Sequence, residues 1–155
     1  MPAVGEIIGG KYRIDRLVGE GSMGAVLAAE HLSLLQPVAI KVLTLEANEQ
    51  TVERFLREAR AAARIPSEHV AAVFDVDRLP SGQPYMVMEL LSGTDLAGLL
   101  VERGALPASE AVDYIIQACE AVGHAHDLGI VHRDLKPGNL FSGPERARPP
   151  VRQSP

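Results

Sequence analysis

A glycine cluster, Gly19-Glu20-Gly21-Ser22-Met23-Gly24, separates two β-like runs, around Tyr12 to Val18 and Ala25 to Glu30. Glycine allows turns that a Cβ would forbid and lets backbone N–H groups approach an anion closely, so this spacing reads as a loop able to meet phosphates. Two other readings compete. A plain hairpin turn would need nothing more. A dinucleotide fingerprint would need a helix directly after the glycines and an acidic residue about 20 positions further on. Here Pro37 and the run Val38-Ala39-Ile40-Lys41 follow instead, which favours a loop between two strands. The Ala25 to Glu30 run is alanine-rich and is helix-compatible on propensity alone.

An earlier glycine pattern, Gly5-Glu6-Ile7-Ile8-Gly9-Gly10-Lys11-Tyr12, matches only the first part of a Walker loop. It has Tyr where a Ser or Thr hydroxyl must ligate magnesium, and no room for a preceding strand. Residues 1–10 read as a flexible lead-in.

Beyond the strand Val38 to Leu43, the spacing predicts a helix over Glu49 to Arg64 capped by Asn48. Val52, Phe55, Leu56, Ala59, Ala62 and Ala63 form one apolar stripe, with most charges opposite. Glu58 falls on the edge of that stripe, where a carboxylate is costly unless a cation meets it. Two more strands are expected, Ala71 to Asp77 and Tyr85 to Leu90, joined by Leu-Pro-Ser-Gly-Gln-Pro. From Thr94 the pattern turns helical, with a segment over Asp95 to Glu102 and a long helix from about Pro107 to His126 ended by Gly129. Val112, Ile115, Ile116, Cys119 and Val122 are expected to make a wide buried face on the long helix. Strands with one inserted helix, followed by helices, imply two lobes meeting near Leu90 to Gly93. From Gly143 the chain holds four of its 11 prolines and three Arg against one Glu, and is expected to be disordered.

Composition narrows the function classes. The net charge of −5 supplies no basic footprint for nucleic acid. Cys119, the single cysteine, cannot form an internal disulfide, and the start Met-Pro-Ala-Val-Gly-Glu has neither the basic region nor the apolar run of a secretory leader. No stretch reaches the ~18 apolar residues of a membrane span, so a reducing, cytoplasmic compartment is expected. A metal reading of Cys119, His124, His126 and His132 fits no standard zinc spacing. His124 and His126 read more simply as helix-end histidines near a favourable dipole.

Lys41 taken singly is a solvated strand lysine; taken with Glu58, each supplies the other's partner. The run His132-Arg133-Asp134-Leu135-Lys136-Pro137-Gly138-Asn139 then follows the long helix. In chain order, the glycine loop with Val26, Val-Ala-Ile-Lys, the helix glutamate and this run resemble the eukaryotic-like (Hanks-type) serine/threonine protein kinases over about residues 10 to 141, in a bacterial style. Lys136-Pro137 is similar to the serine/threonine branch rather than the tyrosine branch.

The resemblance implies an α+β, protein-kinase-like two-lobe fold. The chain would hold a lead-in over 1–10, a complete β-rich N-lobe with one helix over 11–91, only the first part of the helical C-lobe over 92–142, and a tail over 143–155. It implies ATP and Mg2+ as cofactors and a protein bearing Ser or Thr as substrate. Gly19, Gly21 and Gly24 would cover the phosphates, and Val26 and Ala39 would line the adenine pocket. Lys41 would hold the α- and β-phosphates and pair with Glu58. Met88 matches the gatekeeper, Glu89 to Leu91 the hinge, Asp95 the ribose contact and Phe141 the apolar residue under adenine. Asp134 would orient the substrate hydroxyl and accept its proton, Lys136 would neutralise the transferring phosphoryl, and Asn139 would hold one magnesium. Arg133 would read a phosphorylated activation segment.

Simpler roles stand beside these: Asp95 as a helix-start carboxylate, and Asp134 with Asn139 in an ordinary polar turn. The family pattern continues with Asp-Phe-Gly, an activation loop and Ala-Pro-Glu. No Asp follows Asp134 here. The leading expectation is therefore a serine/threonine kinase present through its catalytic loop, with little activity of its own. The alternative is a catalytically silent chain that binds nucleotide or a partner. The apolar face of the 107 to 126 helix would be short of packing partners, an exposure that invites association.

Overall fold

The computed structural model describes residues 1–21, 24–43 and 48–143. Ser22 and Met23 of the glycine cluster lie outside the described residues, as does the tail expected over 143–155 apart from Gly143.

The strands are β1 (Ile7–Ile8), β2 (Tyr12–Gly21), β3 (Gly24–His31), β4 (Gln36–Leu43), β5 (Val73–Arg78) and β6 (Pro84–Glu89). They form one antiparallel sheet in the order β1-β2-β3-β4-β6-β5. The alanine-rich run is thus a strand, β3, held between two neighbours whose ladders outweigh its helix propensity. The lead-in expected over residues 1–10 contains β1, which pairs Ile8 with Tyr12 and buries Ile8. Gly9 and Gly10, both at positive φ, supply the reversal that makes this pairing possible.

Alternation sorts the strand residues onto two faces. One carries Ile8, Tyr12, Ile14, Leu27, Ala29, Val38, Ile40, Val42, Tyr85 and Val87, the larger core. The other carries Leu43 and Met86, covered by Phe55 and Ala59 of helix α1 (Glu49–Ala62), with Val52, Leu56, Val76 and Met88 at its margin. Asn48 caps α1 as its sequence predicts, accepting a hydrogen bond from Thr51 N at 2.9 Å.

After the connection through residues 90–93, a second, two-stranded sheet pairs β7 (Thr94–Asp95) with β8 (Phe141–Ser142). Helix α2 (Leu96–Arg103) and helix α3 (Ala108–Asp127) lie between them in sequence. The face expected on α3 is apolar but not buried, in line with its expected shortage of packing partners: Val112, Ile115 and Ile116 are 54%, 53% and 51% exposed, Cys119 is exposed, and Ala125 is the helix's buried residue. Periodicity marks a face as apolar, and burial depends on a partner element; among the described residues none covers these three. Gly129, at φ 72°, ends the helix as expected.

Candidate active site

Parity along β3 and β4 gathers the first group of site residues. Val26 lies opposite Lys41 and also opposite Gly19 on β2, while Ala39 lies opposite Met88 on β6. Because Lys41 also pairs with Met86, the lysine stands on the sheet face that carries α1, two residues from buried Ala39. The half-buried setting of Lys41 keeps its stem on the sheet. The glycines differ from one another. A Cβ at Gly19 or Gly21 would meet nothing within 4 Å, so packing does not account for glycine there, whereas at Gly24, with φ 149°, it would collide with the Val42 carbonyl oxygen.

The expected Lys41–Glu58 pair is absent. Glu58 points to solvent, with its side chain 66% exposed, and pairs with Arg54 one turn earlier at 3.8 Å. Its place at the edge of the stripe was legible from the sequence. Whether it turns inward depends on how α1 is rotated against the sheet, and here Phe55 and Ala59 take the buried positions.

The second group comes from the segment after α3. Arg133 adopts φ 63°, and the segment then folds through a 3-10 turn, Pro137–Asn139. This brings Lys136 Nζ to 2.9 Å from Asp134 Oδ2. The Asn139 amide nitrogen donates to the Asp134 carbonyl oxygen at 2.7 Å and to its Oδ2 at 3.0 Å. Asp134 N donates in turn to His132 Nδ1 at 3.3 Å. The hydrogen bonds from Lys136, and then from Asn139, hold the Asp134 carboxyl below the usual aspartate value. Three residues spread over six positions thus present one ionised carboxylate, one ammonium and one amide at the surface.

The donor set bears on a divalent cation. With its nitrogen committed twice, Asn139 keeps its Oδ1 carbonyl oxygen for a hard ion, and oxygen is the donor that magnesium takes. Among the described residues there is no group of three or more His, Cys, Asp or Glu placed to hold a metal. Asn139 therefore fits one position of a magnesium shell completed by phosphate oxygens and water.

The third group surrounds the connection between the two parts of the chain. Glu89, Leu91, Asn139 and Phe141 line one cavity of about 300 Å³, joined by His69 and Tyr114. Phe141 is 44% exposed, leaving its ring available to a planar ligand. Asp95 caps α2, its Oδ1 accepting from Gly98 N at 2.9 Å, so the helix-start role is realised and Oδ2 is the oxygen left over. His69 Nε2 also reaches Glu120 Oε2 at 3.2 Å, tying the segment before β5 to α3. Sequence reasoning passed over His69 and Tyr114. Neither belongs to a motif, and only the fold brings them to this cavity.

Comparisons with known proteins bear on the family and the fold. The protein kinase domain family matches residues 12–148. The chain is 40% identical over 148 residues to the serine/threonine-protein kinase pkn3 of Myxococcus xanthus, covering 94% of this chain and 27% of that protein. It is likewise 40% identical over 142 residues to PknA of Corynebacterium glutamicum, covering 88% of this chain and 30% of that one. The crystal structure of the Mycobacterium tuberculosis PknI kinase domain superposes with a TM-score of 0.83 at 29% identity, over 94% of this chain and 59% of that chain. The chain thus spans less than a third of these two curated relatives and about three-fifths of a kinase domain. With a β-rich lobe carrying a single helix, the start of a helical lobe and the family's model matching residues 12–148, it belongs to the bacterial Hanks-type serine/threonine protein kinase family.

Proposed function

We propose that this chain carries the nucleotide-binding and hydroxyl-activating half of an ATP-dependent serine/threonine kinase site. The carrying observation is the Asp134–Lys136–Asn139 cluster. ATP with magnesium supplies the phosphoryl group and neutralises its oxygens. Lys41 and the glycine loop hold the phosphates, and Phe141 with the 89–91 connection receives the base. Asp134 orients a protein Ser or Thr hydroxyl and takes its proton. Lys136, 2.9 Å from the same carboxylate, stands where charge builds on the transferring group.

A second reading, nucleotide binding without transfer, draws on Glu58, which pairs with Arg54 and leaves Lys41 unclamped by that carboxylate. Incubating the 155-residue chain with labelled ATP, magnesium and a generic protein substrate, beside Asp134→Asn, separates the two. Label transfer above the Asp134→Asn control supports the kinase reading; saturable ATP binding with transfer equal to the control supports the second. The lowered Asp134 pKa adds a pH signature. A carboxylate with a depressed value stays ionised until pH falls through that value, so the acid limb of transfer lies below about 4, the ordinary aspartate range. An acid limb near pH 6 would assign proton acceptance to another group.

A further inference from the structure

The strand that carries Phe141 is held by a chain of polar contacts that no catalytic motif includes. Arg103, in the last turn of α2, grips Glu110 of α3 with two bonds, 2.6 Å to Oε1 and 2.9 Å to Oε2. The Tyr114 hydroxyl lies 3.4 Å from Glu110 Oε1 and 2.9 Å from Ser142 Oγ. Proton counting sets the direction. The Arg103 contact holds the Glu110 carboxyl below its ordinary value, so it only accepts; Tyr114 has one hydroxyl hydrogen and gives it to Glu110. Ser142 must then donate to Tyr114. The order runs Ser142 to Tyr114 to Glu110, anchored by Arg103.

Ser142 sits at a constrained place. It pairs with Thr94 while Phe141 pairs with Asp95, and Leu96 N donates to the Leu140 carbonyl at 2.8 Å. Gly93, at φ 117°, lies so close that a Cβ there would collide with the Ser142 carbonyl oxygen. A shift of Ser142 is therefore passed to Phe141 along β8 and to the 89–93 connection through the Thr94 pairing and the close approach of Gly93.

We propose that Tyr114 and Ser142 are positioning residues for nucleotide binding: their hydroxyl pair locks the Phe141 strand against the interlobe connection and so sets the spacing of the base-binding slot. This rests on the nucleotide-binding reading above. Neither side chain touches the reacting atoms; each acts through the backbone of β8 and through Gly93.

The test uses the full chain as Tyr114→Phe, Ser142→Ala, the double variant and Ser142→Thr, with magnesium-ATP affinity measured by titration calorimetry and backbone exchange followed without nucleotide. Each single dehydroxylation weakens ATP binding about fivefold, the size of one net hydrogen bond. The double variant is no weaker than Tyr114→Phe, since that single variant already loses both the Ser142 and the Glu110 contacts of the hydroxyl. Ser142→Thr, which keeps the hydroxyl, restores affinity. Amides in 92–96 and 139–143 exchange faster in Tyr114→Phe while those of β6 do not. Unchanged affinity with unchanged exchange overturns the proposal, and so do singles whose effects add. If the wild-type chain binds no ATP, the nucleotide reading fails and exchange alone decides the lock: faster exchange in 92–96 and 139–143 sustains it, and unchanged exchange overturns it.

Discussion

Gly24 and its neighbours Gly19 and Gly21 share one motif but meet different physical demands. At Gly24 both the φ of 149° and the Val42 carbonyl oxygen exclude a side chain, whereas at Gly19 and Gly21 the space is open. Gly24→Ala should therefore destabilise the fold by about 2 kcal/mol or more, through backbone strain and collision together. Gly19→Ala and Gly21→Ala should stay within about 0.5 kcal/mol of wild type while weakening ATP binding. Denaturant midpoints and ATP affinities measured on the three variants check the split; equal stability losses would refute it. Tyr85 offers a second test. Burial, then Asp77 and Asp75, pushes its phenol up to about 12. A phenol whose folded value is raised stabilises fully below its unfolded value near 10 and loses that contribution as pH climbs towards about 12. Tyr85→Phe removes the ionisation altogether, so the midpoint of alkaline unfolding, followed by circular dichroism, should move upward. Residue identity alone identified the glycines as special, but it could not separate the one confined by packing from the two left open.

At the scale of elements, local signals carried most of the fold. The α1 cap, the end of α3 at Gly129 and the strand positions around Lys41 were legible because each rests on neighbours in sequence: Asn48 meets Thr51, and the period-2 pattern of β4 depends on its own residues. Features that depend on partners distant in sequence were not legible. β1 needs β2 to be recognised as a strand, and β8 is two residues long and exists only because Thr94 and Asp95 lie beside it. The site divides in the same way. Asp134, Lys136 and Asn139 converge because a single 3-10 turn brings six consecutive positions together. The Lys41–Glu58 pair needed the rotation of α1 against the sheet, and that rotation instead buries Phe55 and Ala59 and turns Glu58 towards Arg54. Tyr114 and Ser142, 28 positions apart, show no pattern that sequence reading detects.

Across the whole molecule the two parts differ in how far they bury apolar surface. The six-stranded sheet has a core on one face and α1 on the other, with Ile40, Val42 and Val87 wholly enclosed. Past the connection, Val112, Ile115 and Ile116 on α3 stay about half exposed, with Leu135 and Val131 exposed as well. Three large aliphatic side chains on adjacent turns make a contiguous apolar strip, which water disfavours at roughly 25 cal/mol per Å². The isolated 155-residue chain should therefore associate with itself as concentration rises, and the strip should drive it. Sedimentation of wild type beside Ile115→Glu and Ile116→Glu checks this. Both positions already face solvent, so each charge should sharply lower association and leave the thermal midpoint within a few degrees, because a surface substitution usually shifts stability by no more than about 0.5 kcal/mol. Were association to persist in both variants, the strip would not be its cause. Leu17 and Val18 beside the glycine loop, two further exposed aliphatic residues, would then be the next to substitute.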